Sequence, residues 1–219
     1  MPALLRRLAG LTVVVGLITA SPIMAHAAGN DGLTAGTILL RGRVIGIIPE
    51  DSNSSITPIG GRITVDPSVS PEVDLSYFVT DHIAIEGEAG VLYSSIAAKN
   101  TAYGDITIGK VWSAPIDLTL QYHLLPQSRF NPYVGAGLNV TTYFGEQAAG
   151  GLVQNFSVDT AVGAVLEIGA DYQIAGRWYA NLDVKQLLLG AQAHINNGEV
   201  DAKDRLNPVI LGAGIGYQF

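Results

Sequence analysis

The chain contains no cysteine. A disulfide framework is thereby excluded as a source of stability, and closed strand pairing has to supply it instead. Charge is scarce as well, at 14% of residues, and basic charge scarcer still: 12 Lys and Arg against 19 Asp and Glu give a net charge of −7. No Lys/Arg cluster occurs beyond residue 27, so nucleic acid is excluded as a partner, because phosphate binding needs basic patches. Beyond the N-terminus there is also no run of about 18 apolar residues of the kind a spanning helix needs. Helical periodicity is nearly missing.

The N-terminal segment differs from the rest. Arg6 and Arg7 precede an apolar run from Leu8 to Ile18, and Ala25-His26-Ala27 offers a small-x-small cleavage site. This pattern predicts a signal peptide over 1–27, removed on export, and a single domain over 28–219.

What fills that domain is alternation. In "VILGAGIGYQF" (209–219), Val209, Leu211, Ala213, Ile215, Tyr217 and Phe219 share one parity, and Ile210, three glycines and Gln218 share the other. Eight such segments recur, at about 37–48, 69–80, 82–94, 106–124, 129–144, 156–173, 177–189 and 208–219. Their connections alternate in length. Those near Asp81, at 126–129 and at 174–177 are short, whereas 49–68, 95–105, 145–155 and 190–207 are long and rich in Gly, Ser, Asn and Asp. Short turns on one rim and long loops on the other predict an all-β fold: an eight-stranded antiparallel transmembrane β-barrel with short periplasmic turns, longer extracellular loops and both termini periplasmic.

Alternation alone fits a soluble barrel equally well, with its apolar parity inside. Two features favour the membrane. Apolar-parity aromatics sit near strand ends, with Tyr77, Tyr122, Tyr172, Trp178, Tyr217 and Phe219 toward the short-turn rim and Tyr93, Trp112, Phe144 and Phe156 toward the other; two aromatic girdles flanking an apolar band match the two interfaces of a bilayer. The chain also ends on the aromatic Phe219, which resembles the signal that the barrel assembly machinery reads in outer-membrane barrels.

Leu118, Leu138, Leu166 and Leu182 then face lipid. The opposite parity lines the lumen with Arg41, Arg43, Asp74, Glu88, Asp117, Gln121, Asn139, Asp159, Glu167, Asp183 and Lys185. A hairpin symmetric about Asp81 places Asp74 opposite Glu88, and one about Ala175 places Glu167 opposite Asp183, with Arg43 and Lys185 as neutralising cations. These groups form either a wet, cation-selective bore or a salt-bridged plug. Gly135 and Gly137 either shape a pore or relieve crowding.

Catalytic patterns are weak. The glycines of "GAGIGYQF" open no helix and so do not form a phosphate loop; His82, His123 and His194 lack metal-ligand spacing; and only chance could bring Ser94 or Ser95 to His194. The expectation is no enzyme, with no catalytic residue, cofactor or metal.

The segments "PEVDLSYFVTDHIAIE" (71–86), "APIDLTLQYHL" (114–124), "FNPYVGAGLNVTTYF" (130–144) and "EIGADYQI" (167–174), with the terminal "GYQF", resemble the OmpW family of small outer-membrane barrels. The resemblance implies a Gram-negative outer-membrane location, contact with outer-membrane lipid, and passive passage of small, mainly hydrophobic solutes. Such solutes would enter past the outer loops, with Ile56, Ile59, Leu152 and Val153 as mouth contacts. Glu88 and Lys185 depart from the apolar inner surface that axial passage of such solutes needs, which leaves sideways exit into the bilayer as the other route. The contrasting function is a structural or adhesion barrel with a plugged lumen and interactions carried by its loops.

Overall fold

Strands rich in Val, Ile, Leu and Tyr on one parity pair edge to edge until the last strand meets the first. The structure, a computed structural model, describes residues 32–49 and 55–219. The expected signal segment lies outside the described residues. Thirteen strands are present among them: β1 (Ile38–Ile48), β2 (Ser55–Thr57), β3 (Arg62–Val65), β4 (Ser68–Phe78), β5 (Ile83–Gly90), β6 (Leu92–Thr101), β7 (Gly104–His123), β8 (Phe130–Ala148), β9 (Phe156–Val158), β10 (Ala161–Ala175), β11 (Trp178–Ile195), β12 (Val200–Leu206) and β13 (Val209–Gln218).

Eight of them close a ring in the order β1, β4, β5, β7, β8, β10, β11, β13, every neighbour antiparallel. The closing pair is β1 with β13, in register from Leu39↔Gln218 to Ile48↔Val209. Phe219 extends it by donating its N–H to the Ile38 carbonyl at 2.8 Å. Closure leaves the ring no free edge, as hydrocarbon requires. No helix among the described residues is long and apolar enough to cross a membrane.

The remaining strands carry the wall outward beyond the ring. β6 pairs with β3 and β7, β9 and β12 pair with β11, and β2 pairs with β12. Much of what composition assigns to long loops, within 95–105, 145–155 and 190–207, is therefore sheet. Outside the hydrocarbon both faces of a strand can be polar, so the alternation that marks a strand is lost while its hydrogen bonds are not. Four of the eight walls are interrupted as they rise, at Asp66-Pro67, Val91, Asp159-Thr160 and Asn207-Pro208. Proline, which has no N–H for the ladder, occupies two of these breaks.

Burial follows parity along the ring. Leu118, Leu138, Leu166 and Leu182 are exposed on the outer face, and Tyr77, Tyr122, Tyr172, Trp178 and Phe219 on one side with Tyr93, Trp112 and Phe144 on the other supply the two girdles. Phe156 departs from the expectation: it is buried in an internal apolar cluster, because it stands on β9, past the break that separates it from β10.

The interior has three layers. Nearest the short turns, Leu33, Leu39, Phe78, Ala84 and Tyr179 form an apolar floor. The segment before β1 is tied there through Leu33 N–H to the Pro126 carbonyl at 2.8 Å and Ala35 N–H to Asp81 Oδ1 at 2.9 Å. Charged side chains fill the middle. Above them, two apolar clusters surround a cavity.

The glycines make the middle layer possible. On the inward face of β13, a Cβ at Gly214 or Gly216 would lie 2.6 or 2.7 Å from the Cγ of Arg43 or Arg41. On β8, a Cβ at Gly135 would meet the Glu167 side chain and one at Gly137 the backbone of β7. Of the two roles open for Gly135 and Gly137, relief of crowding is the one the packing supports; the space they leave is occupied.

Candidate functional site

Arg41 is the centre of the ionic layer and is fully buried. Its Nε donates to Asp74 Oδ1 at 2.7 Å, Nη1 to both oxygens of Asp171 at 3.1 Å, and Nη2 to Ser76 Oγ at 2.6 Å and Glu86 Oε1 at 2.8 Å. The planar fork of a guanidinium suits this multidentate arrangement, which an ammonium could not reproduce. Arg43, two residues on and on the same face, reaches Glu72 at 3.0 Å, Asp74 at 3.0 Å, Glu88 at 2.7 Å and Asp183 at 3.3 Å. From the opposite wall Lys185 donates to Glu88, and to Glu72 at 3.3 Å.

Neutral groups complete the network. Asn139 donates to Asp117, and Thr141 Oγ1 to Asn139 Oδ1 at 2.9 Å. Gln121 Nε2 donates to Glu167 Oε1 at 2.8 Å, and Thr119 Oγ1 to Glu86 Oε2 at 3.1 Å. Asn131 Nδ2 donates to His123 Nδ1 at 2.8 Å, which leaves Nε2 to carry the proton toward Gln121 Oε1 at 3.2 Å. Eight carboxylates (Glu72, Asp74, Glu86, Glu88, Asp117, Glu167, Asp171 and Asp183) share the buried interior with three cations (Arg41, Arg43 and Lys185).

All ten residues expected to line the lumen in the central set, Arg41, Arg43, Asp74, Glu88, Asp117, Gln121, Asn139, Glu167, Asp183 and Lys185, have buried side chains inside the ring. Asp159 does not belong with them. It occupies the break before β10, half-way out of the wall, and its carboxylate faces His194 Nε2 at 3.4 Å while Asp201 faces Nδ1 at 2.7 Å. These two carboxylates, Asp201 foremost, hold the His194 pKa above the ordinary imidazole range. His194 thus makes its hydrogen bonds to acids and not to Ser94 or Ser95.

Asp74 faces Glu88 across β4 and β5, as the hairpin about Asp81 predicts. The second hairpin is shifted: it turns at Gly176-Arg177, past Ala175, and with a one-residue bulge between Gln173 and Ala175 this sets Glu167 opposite Lys185 and Gly169 opposite Asp183, so unlike charges meet in place of like charges. Glu72 and Glu86 join the layer beyond the expected set, on the inward parity of Asp74 and Glu88, and Asp171 joins it on the inward parity of Glu167. If the network is coupled as its geometry indicates, Lys185→Leu alone should destabilise the barrel more than Glu88→Leu and Lys185→Leu together, with a coupling of roughly 1 to 3 kcal/mol. Denaturant unfolding of the single and double variants in lipid checks this; additive losses would remove the coupling.

Above this layer lies a cavity of about 150 Å³. Ile45, Val111, Leu187, Leu189, Ile210 and Phe156 give it apolar walls, and Glu72, Glu88 and Asp117 face it from the layer below. None of the four expected mouth contacts lines it. Ile56 and Val153 are buried behind its upper wall with Ile59 packed against them, whereas Leu152 is 64% exposed. The chamber lies one level above the lumen, walled by ring strands together with β3, β6, β9 and β12.

One side of the chamber wall is incomplete. β3 and β6 pair as far as Val65↔Ile96, and β4 and β5 resume at Glu72↔Gly90, so 66–71 and 91–95 face each other without ladder pairing. Pro67 and Pro71 fall in this stretch, and the Asp66 N–H to Ser95 carbonyl contact at 3.3 Å and the Ser70 hydroxyl to Val91 carbonyl bond at 2.5 Å bridge it. The chamber reaches the gap at Asp66, Ser68, Gly90 and Leu92, and an outer depression lined by Pro71, Val73 and Val91 meets it from the lipid side. Tyr93, on its edge, belongs to the outer girdle.

Comparison with known proteins agrees with this architecture. The chain is 34% identical over 207 residues to an uncharacterized outer-membrane protein of Sinorhizobium fredii, covering 92% of this chain and 88% of the other. It is 28% identical to the dibenzothiophene metabolism operon protein PahQ of Pseudomonas aeruginosa over 73% of this chain and 76% of that one. The crystal structure of the outer membrane protein OprG from Pseudomonas aeruginosa superposes with a TM-score of 0.80 at 25% identity, covering 86% of this chain and 98% of OprG. The OmpW family model matches residues 34–219, which spans the whole ring and the chamber, and the chain belongs to the OmpW family of bacterial outer-membrane barrels.

Proposed function

We propose that small apolar molecules enter the chamber from outside and leave sideways through the wall gap into the outer leaflet, without crossing the ionic layer. Passage of small hydrophobic molecules across the outer membrane is the activity associated with barrels of this type, none of which is catalytic. The observation that carries the route is the juxtaposition of an apolar chamber with an unpaired stretch of wall directly above a closed interior. Downward passage would require an apolar solute to part ion pairs such as Arg43–Glu88, which is costly in a bore that eight strands leave nearly filled. The name of the relative PahQ, which places that protein in a dibenzothiophene metabolism operon, suggests an aromatic solute class for this chain too.

Two further roles complete the reading. Residues 1–27 direct export and are removed. Phe219, whose ring is exposed beside Tyr217 at 4.9 Å, presents the terminal aromatic to the barrel assembly machinery.

The measurement is uptake of a small aromatic probe by proteoliposomes containing the full barrel. Uptake faster than in protein-free vesicles is expected, together with little ionic conductance in planar bilayers. Uptake equal to that of protein-free vesicles for several probes would overturn the transport reading in favour of a structural or adhesion barrel.

A further inference from the structure

The charged lining of the chamber has one sign. Asp66, Glu72, Glu88 and Asp117 face it, and no lysine, arginine or histidine does among the described residues. The nearest cations stand behind these acids. Arg43 and Lys185 bond Glu72 and Glu88 from beneath with side chains that are fully buried, whereas the two glutamates each keep 4% exposure. Asp117 is fixed by Asn139 and so presents its carboxylate from a set position. The other polar side chains of the lining are the hydroxyls of serines, Thr141 and Tyr143.

An entering molecule therefore meets two chemistries in order: apolar walls, then carboxylates whose counter-ions are out of reach. A hydrocarbon body is desolvated favourably against the walls. A head group able to donate several hydrogen bonds, and above all one with positive charge, finds acceptors at the base; a carboxylate of the same body meets like charge. The volume of about 150 Å³ matches a body the size of benzene.

We infer that the chamber selects by head group, taking a benzene-sized apolar body that carries a primary ammonium in preference to its neutral counterpart and rejecting its carboxylate. This rests on the passage of apolar molecules proposed above and adds a rule about which of them are held.

Three probes of nearly equal size test it: benzylammonium, benzyl alcohol and benzoate, each titrated into the full barrel in lipid nanodiscs, with binding to protein-free nanodiscs subtracted. One charge-assisted contact sets the expected scale, so benzylammonium should bind about tenfold more tightly than benzyl alcohol, and benzoate at least about tenfold more weakly. In the variant carrying Glu72→Gln and Asp117→Asn, the ammonium and the alcohol should converge to within about threefold. Equal binding of alcohol and ammonium by the parent, or benzoate binding as tightly as the alcohol, overturns the head-group rule while leaving apolar transport standing. Absence of binding by all three, with no probe uptake, overturns both. The comparison within the parent decides the matter even if the double variant does not fold.

Discussion

Replacing Arg41 by methionine is expected to destabilise the barrel by roughly 3 to 5 kcal/mol. Methionine keeps most of the stem volume, so the loss isolates the charge and its hydrogen bonds. Asp171 would then lose the cation it pairs with, Asp74 and Glu86 would be left to share Arg43, and Ser76 would lose its donor. An uncompensated charge in that position is worse than a pair that was never buried. Arg41→Lys should recover only part of the loss, because one ammonium cannot satisfy three carboxylates on different walls. Equilibrium unfolding in lipid vesicles measures both; a methionine variant within about 1 kcal/mol of the parent, the scale of a surface ion pair, would show that the layer is hydrated and weakly held.

The second large effect lies on the other face. Leu118 is 58% exposed in the middle of β7, level with Leu138 on β8 and Gly87 on β5. Leu118→Arg places a cation in the apolar belt, at a cost of about 2 to 4 kcal/mol near the midplane. Tyr103→Arg is the control: that residue is 70% exposed at the tip of the β6–β7 hairpin, beyond the belt, where an arginine is solvated and should change stability little. Folding yields and unfolding free energies in bilayers compare the two. Equal behaviour would mean that the outward face of β7 does not contact hydrocarbon.

Parity carried most of the fold. It separated Leu118 from Asp117 and Leu166 from Glu167, and a turn residue as clear as Asp81 set Asp74 against Glu88. It fails where the turn and a bulge beside it are not marked by one clear residue, as at Gly176-Arg177, where the register gives Glu167 to Lys185 and not to Asp183. Parity also gives a face and no height. The inward row Arg41, Arg43, Ile45, Ile47 passes from ion pairs to chamber wall within one strand, and the row Asp183, Lys185, Leu187, Leu189 does the same on β11. Relating such rows across strands needs the stagger of the barrel, which no single strand encodes. For that reason the sequence points to a mouth around Ile56 and Leu152 but does not reveal the chamber below it, and the gap between 66–71 and 91–95 has no local signal beyond two prolines.

The ionic layer has a consequence for the cell envelope. A pore wide enough for an aromatic ring would also pass water and ions, and every copy inserted would erode the membrane as a permeability barrier. Sideways passage, as proposed, leaves the bore below filled by Arg41, Arg43, Lys185 and the acids around them, so an added copy would open no aqueous hole. Opening a path into the bilayer, and not through it, would admit small apolar molecules while the outer membrane stays tight to hydrophilic ones.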